Sequence, residues 1–96
     1  MRIQDSIKNQ LVELKPGIAK RFFVNKIGLF GSVMRNDFGD NSDIDIIVDF
    51  YKPVGIEFID LADFLEEKLH RKVHLVSLNG IKKHYFELIK NRIVYV

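Results

Sequence analysis

Between Ser42 and Phe50 the chain reads Ser-Asp-Ile-Asp-Ile-Ile-Val-Asp-Phe, and the run from Ile44 to Phe50 has the period-two alternation of a β-strand. Successive strand residues face opposite sides, so Ile44, Ile46 and Val48 point into a core while Asp43 and Asp45 stand side by side on the other face. Such a chain must cover the first face and give the paired carboxylates of the second a purpose. It has 96 residues to do so, enough for one domain, residues 1–96, that buries somewhat more than roughly 60% of its unfolded surface. With 47% hydrophobic and 29% charged residues it has the usage of an ordinary globular chain, not of a disordered one.

Several function classes are disfavoured at once. There is no cysteine, so disulfides and thiolate metal sites are excluded and nothing points to an oxidising compartment; a cytoplasmic location is expected. Arg2, Asp5 and Lys8 interrupt the first ten residues, which argues against a signal-peptide core, and no apolar run approaches bilayer length. No membrane association is expected.

The remaining elements follow from periodicity. Ile3, Ile7, Leu11 and Leu14 predict an amphipathic helix over residues 3–14, stopped by Pro16-Gly17, with a shorter helical stretch from Ile18 to Phe23. Lys26 to Phe30 reads as a strand. After Pro53 and Gly55, apolar residues at Phe58, Leu61, Ala62, Leu65 and Leu69 oppose Asp60, Asp63, Glu66 and Glu67 and predict a helix. Lys72 to Ser77 is a third strand, Asn79-Gly80 a turn, and Ile81, Tyr85, Leu88 and Ile89 mark a last helix before Ile93-Val94-Tyr95-Val96. The expected architecture is α+β: a small mixed β-sheet with helices packed mainly on one face.

Charge is segregated along the chain. Residues 1–30 carry six basic and two acidic side chains, residues 31–67 two and ten, and residues 68–96 seven and one. An acidic cluster is usually the solvated face of a helix, so only the geometry of particular carboxylates makes a site of it. Two carboxylates two residues apart on a strand repel each other unless a divalent cation neutralises both, and magnesium is commonly held by one or two carboxylates plus substrate phosphates. An isolated Asp-x-Asp is nevertheless short, and two solvated aspartates at a strand edge are its commoner meaning.

The upstream segment shifts that balance. Ile27-Gly28-Leu29-Phe30 leads into Gly31-Ser32, where a strand-to-helix turn would offer backbone N–H groups and a hydroxyl to phosphate oxygens. A Gly-Ser dipeptide alone is an ordinary turn. Here ten residues separate Ser32 from Asp43, and Gly-Ser, ten residues, Asp-x-Asp resembles the signature of the polymerase-β-like nucleotidyltransferase superfamily. Leu29-Phe30-Gly31-Ser32, then Arg35, then Ser42 to Phe50 is similar to the minimal nucleotidyltransferase (MNT-domain) antitoxins, partners of HEPN-domain ribonuclease toxins. The strand Lys72-Val73-His74-Leu75-Val76 and the terminal Ile93 to Val96 fit the same layout, so the resemblance covers roughly residues 5–96.

The resemblance implies that Asp43 and Asp45 hold Mg2+, that Gly31, Ser32 and Arg35 receive the triphosphate of ATP, and that a hydroxyl acceptor attacks the α-phosphorus. It also implies a HEPN-domain toxin as partner in a hetero-oligomer, AMP transfer to a toxin tyrosine, and no direct nucleic-acid contact. One departure stands out. Relatives usually carry a third aspartate on the later strand, and here that position is His74. Imidazole is a poor magnesium ligand, but it titrates near neutrality and suits the general-base role.

Smaller departures and charges complete the set. Asn36 stands where glycine is common, tolerable even if the backbone needs a positive φ. Arg35 can pair with a phosphate or with a loop carboxylate such as Asp37, although an exposed loop arginine is more often merely solvated. Asp37 and Asp40 are read as solubilising loop residues, and Lys82 and Lys83 as solvent-facing. Phe22, Phe23, Tyr85 and Phe86 are expected in the core. Two functions compete: an adenylyltransferase acting on its toxin, and a catalytically impaired protein that neutralises the toxin by binding. An antibiotic- or RNA-modifying enzyme is disfavoured, because such enzymes add a second domain to hold the acceptor.

Overall fold

A computed structural model describes residues 2–39 and 41–96. Asp40, read above as a loop residue, lies outside that set. The order is α1 (Ile3–Phe22), β1 (Val24–Phe30), a 3-10 turn (Gly31–Met34), β2 (Ile44–Phe50), α2 (Ile56–Leu69), β3 (Val73–Ser77), α3 (Lys83–Ile89), a second 3-10 turn (Lys90–Arg92) and β4 (Val94–Tyr95). The four strands form one sheet in the order β3-β2-β1-β4. β1 pairs antiparallel with both β2 and β4, whereas β2 and β3 run parallel because α2 returns the chain between them. The fold is therefore α+β with a mixed sheet, as the periodicities predict.

One face of the sheet carries the core. Ile44, Ile46, Val48 and Phe50 of β2 and Ile27 and Leu29 of β1 meet Ile7, Leu11, Ile18 and Phe22 of α1 and Leu61, Leu65 and Leu69 of α2. The other face bears Asp45 and His74. It is partly covered by the C-terminal segment: a Cβ at Gly28 would fall 2.8 Å from Ile93 Cγ2 and 3.1 Å from Tyr95 Cδ1. Glycine in a strand interior costs order, and here its missing side chain lets that segment lie against β1.

The N-terminal helix departs from expectation. Pro16 does not end it; a single helix runs for 20 residues with Pro16 inside. Pro16 removes the hydrogen bond to the carbonyl of residue 12, but both Pro16 and Val12 are exposed, so water can serve that carbonyl. Leu11 and Ile18, seven residues apart on the same side, are both fully buried, and their packing carries the helix past the proline. Intrinsic propensity puts the loss at about 3 kcal/mol, offset by up to about 1 kcal/mol from a stiffer unfolded chain. Pro16→Ala is accordingly expected to stabilise the protein by about 2 kcal/mol, read as a rise of several degrees in the thermal unfolding midpoint.

The helix ends on a buried residue, Phe22, and its cap, Phe23, sits in the left-handed region at φ 61°. Phe23 is held there by Tyr51, whose N–H donates to the Phe23 carbonyl at 3.0 Å and whose ring lies edge-on at 6.0 Å. Of the aromatic residues expected in the core, Phe22 is buried, Phe23 and Phe86 are half-buried, and Tyr85 is exposed. The physical reason for the last is that α3, only seven residues long, buries no side chain and lies away from the α1–α2 layer. No helix among the described residues is long and apolar enough to cross a membrane.

Candidate active site

Register builds the site. Asp45 is paired with Phe30 of β1 on one side and with His74 of β3 on the other, so the three side chains form a row on the face away from the α1–α2 core. Immediately after Phe30 the chain turns at Gly31, φ 62°, into the short Gly31–Met34 turn. This is one 3-10 turn, not the start of a longer helix, so any attraction for anions comes from its own N–H and hydroxyl groups and not from a macrodipole. Gly31 is required on two counts: its left-handed backbone, and a Cβ that would lie 2.5 Å from Asp45 Oδ2.

Asp45 is fully engaged. Ser32 N–H donates to its Oδ2 at 2.9 Å, Ser32 Oγ lies at the same distance from that oxygen, and His74 Nδ1 is 3.1 Å from its Oδ1. Ser32 Oγ is also 2.7 Å from the Asp43 carbonyl oxygen; its single proton serves one of the two acceptors at a time. A carboxylate has about four lone-pair positions. Up to two of those of Asp45, both on Oδ2, are taken by the turn that the sequence marks as a phosphate seat, and one on Oδ1 by His74.

Asp43 differs from its partner in the motif. It lies one residue ahead of β2, is exposed, and its carboxylate has no hydrogen bond or ion pair among the described residues. The loop before it is tied down by Arg71, whose Nη1 donates to the carbonyls of Gly39 at 2.7 Å and Ser42 at 3.0 Å while its guanidinium stacks over Phe38. Sequence reading gave Arg71 no role; an arginine between a helix and a strand carries no signal of such a clamp. Arg35 is exposed and pairs with Asp37, Nε to Oδ1 at 3.3 Å, an ion pair of at most about 1 kcal/mol in solvent. Asn36 has no positive φ, so the backbone there does not call for a glycine.

A cavity of about 730 Å³ opens beside Asp45, lined by Gly31, Ser32, Arg35 and Asp45 on one side and by Asn91, Arg92, Ile93 and Val94 on the other. The far wall was not anticipated. Gly28, a glycine inside a strand, was the available sign that another segment comes close. Lys82 and Lys83 are exposed at the start of α3 and do not line the cavity. Among the described residues no three His, Asp or Glu side chains converge as a ready-made cation site.

Comparison with known proteins fits this arrangement. The nucleotidyltransferase domain family matches residues 6–95. The chain belongs to that family. The protein adenylyltransferase MntA of Thermococcus cleftensis is 36% identical over 93 residues, covering 96% of this chain and 94% of the relative. A solved toxin-antitoxin structure with AMP-PNP superposes with TM-score 0.74 at 26% identity, over 91% of this chain and 69% of that one. The complex of a tri-AMPylated Shewanella oneidensis HEPN toxin with its MNT antitoxin gives TM-score 0.71 at 25% identity, over 96% of this chain and 70% of that one. The protein is thus a minimal nucleotidyltransferase, a member of the group whose named representatives are protein adenylyltransferases.

Proposed function

We propose that this nucleotidyltransferase is an antitoxin that binds Mg-ATP at Gly31, Ser32, Asp43 and Asp45 and transfers AMP to a hydroxyl, a tyrosine by family resemblance, of a HEPN-type toxin. The observation that carries the proposal is the Asp45 carboxylate seated on Ser32 at the edge of a nucleotide-sized cavity. The likeness to the AMPylated toxin complex supports the choice of acceptor and partner, and the hetero-oligomer that goes with it.

The donor set suits magnesium only in company. Asp43 and Asp45 would supply hard oxygen ligands, the kind that magnesium takes together with substrate phosphates. Bound there, Mg2+ would neutralise charge on the phosphoryl oxygens and on the departing pyrophosphate. The protein's own groups do the rest. Arriving phosphate oxygens accept the Ser32 N–H and hydroxyl that Asp45 now occupies, which frees Oδ2. The acceptor oxygen then attacks the α-phosphorus, the bond from that phosphorus to the α,β-bridging oxygen breaks, and pyrophosphate departs.

His74 is placed to take the acceptor's proton. Its Nδ1 lies 3.1 Å from Asp45 Oδ1; a carboxylate oxygen accepts, so Nδ1 donates in this contact and Nε2 is the nitrogen left for the acceptor's proton. The side chain is 64% exposed, leaving Nε2 reachable by a large acceptor. The alternative, neutralisation by binding alone, is supported by the residue type: by the family resemblance a third aspartate would stand where His74 does. Under that reading Asp43→Asn would leave toxin neutralisation intact.

Incubating the chain and its HEPN-domain partner with Mg2+ and ATP labelled at the α-phosphate is expected to label the partner. Absence of label with the native chain, together with label from His74→Asp, would overturn the catalytic reading. Because phosphate at Ser32 would free Asp45 for the metal and metal at Asp45 would free Ser32 for phosphate, Mg2+ and ATP should bind synergistically: calorimetry is expected to show at least about a tenfold tighter ATP affinity with Mg2+ present, the effect of about 1.4 kcal/mol of coupling.

A further inference from the structure

The cavity beside Asp45 has two walls of different origin. The near wall is the Gly31–Met34 turn; the far wall is the junction between the Lys90–Arg92 turn and β4. Pairing of Val94 with Leu29 and of Tyr95 with Gly28 fixes that junction against β1, and the missing side chain at Gly28 lets it approach so closely. Arg92 therefore lines the same cavity as Ser32 from a segment more than fifty residues away in sequence.

Charge decides what Arg92 can do there. The charged residues lining the cavity are Asp45, Arg35 and Arg92. Arg35 is shared with Asp37, whereas Arg92 is exposed and has no ion pair or hydrogen bond among the described residues. A polyphosphate bearing several negative charges meets on the near wall one hydroxyl, one N–H, a carboxylate that must be neutralised and a single arginine already shared with Asp37, so a second cation on the far wall adds the charge that the near wall lacks. A guanidinium offers five donors in a planar fork that matches phosphate oxygens.

Building on the nucleotide-binding reading above, we propose that Arg92 is a substrate-binding residue that grips the tail of the nucleoside triphosphate, the part that leaves as pyrophosphate, from the wall opposite Ser32. It discriminates triphosphate from monophosphate and holds the leaving group in line. Asn91, beside it on the same wall, adds an uncharged donor.

The test compares the wild type, Arg92→Ala and Arg92→Lys by calorimetry with Mg-ATP, Mg-pyrophosphate and AMP, alongside thermal unfolding without ligand. Arg92→Ala is expected to weaken Mg-ATP and Mg-pyrophosphate ten- to a hundredfold, as loss of a charge-assisted hydrogen bond does, and to leave AMP affinity and the unfolding midpoint unchanged. Arg92→Lys should recover part of the loss, having the charge without the fork. Unchanged Mg-ATP affinity in Arg92→Ala overturns the inference, as does an equal loss for AMP with a lowered unfolding midpoint, which marks a structural role. A wild type that binds none of the three overturns the nucleotide reading itself and takes this inference with it.

Discussion

Gly31→Ala is expected to cut AMP transfer by roughly a hundredfold or more, the scale set by displacing a reacting group by about 1 Å, while leaving the protein folded. The two effects separate because of what the new methyl group would meet. Its obstacle is Asp45 Oδ2 at 2.5 Å, the free end of a side chain and not backbone, so the clash is relieved by swinging the carboxylate off Ser32. The residual stability loss is that of a left-handed alanine, about 1–2 kcal/mol. Denaturant unfolding should therefore show a modest shift while transfer and nucleotide binding collapse. A variant that unfolds at room temperature, or one that transfers AMP at more than a tenth of the wild-type rate, would contradict this account.

Asp45→Asn is expected to be still more severe for chemistry and milder for folding. The asparagine oxygen can accept the Ser32 N–H, so the turn keeps its partner and stability should stay within about 1 kcal/mol. Its amide NH2 then faces His74 Nδ1 and donates to it, which forces the imidazole proton onto Nε2 and removes the base. The same change takes away a negatively charged metal ligand. Loss of tautomer control alone reaches about ten-thousandfold in carboxylate–histidine catalysis elsewhere, so a drop of at least about a thousandfold in single-turnover transfer is the expected result. The synergy between Mg2+ and ATP should vanish with it. Retention of either property would show that Asp45 is not the shared hinge of the site.

Much of the fold could be read from the residues. The β2 boundaries at Ile44 and Phe50 follow from an alternation broken only at Ile47, and α2 and β3 begin within two residues of their expected starts, because burial against the core enforces period on sequence. Failures came where tertiary packing overrode a local signal. Pro16 normally ends a helix, but burial of Leu11 and Ile18 on either side of it outweighs one lost hydrogen bond. The amphipathic pattern of Ile81, Tyr85, Leu88 and Ile89 does predict α3, yet nothing local says that such a stripe stays half uncovered.

The candidate site divides in the same way. Gly31, Ser32, Asp43 and Asp45 were legible from spacing, since one strand, one turn and the next strand bring them together. Arg92 and Arg71 were not, because their placement depends on β4 docking against β1 and on the α2–β3 turn reaching the Gly39–Ser42 loop, contacts that sequence distance hides.

The row formed by Phe30, Asp45 and His74 ties correct folding to competence for chemistry. Because β2 alternates residue by residue, sliding it by a single position against either neighbour would bring Asp45 and Asp49 inward and turn Ile44, Ile46 and Val48 out to water. A mispaired chain thus cannot be a stable impostor with an intact site, nor a stable one with a broken site. One-residue pairing errors of β2 therefore cost core burial, and the register that buries Ile44, Ile46 and Val48 is the one that sets Asp45 beside His74.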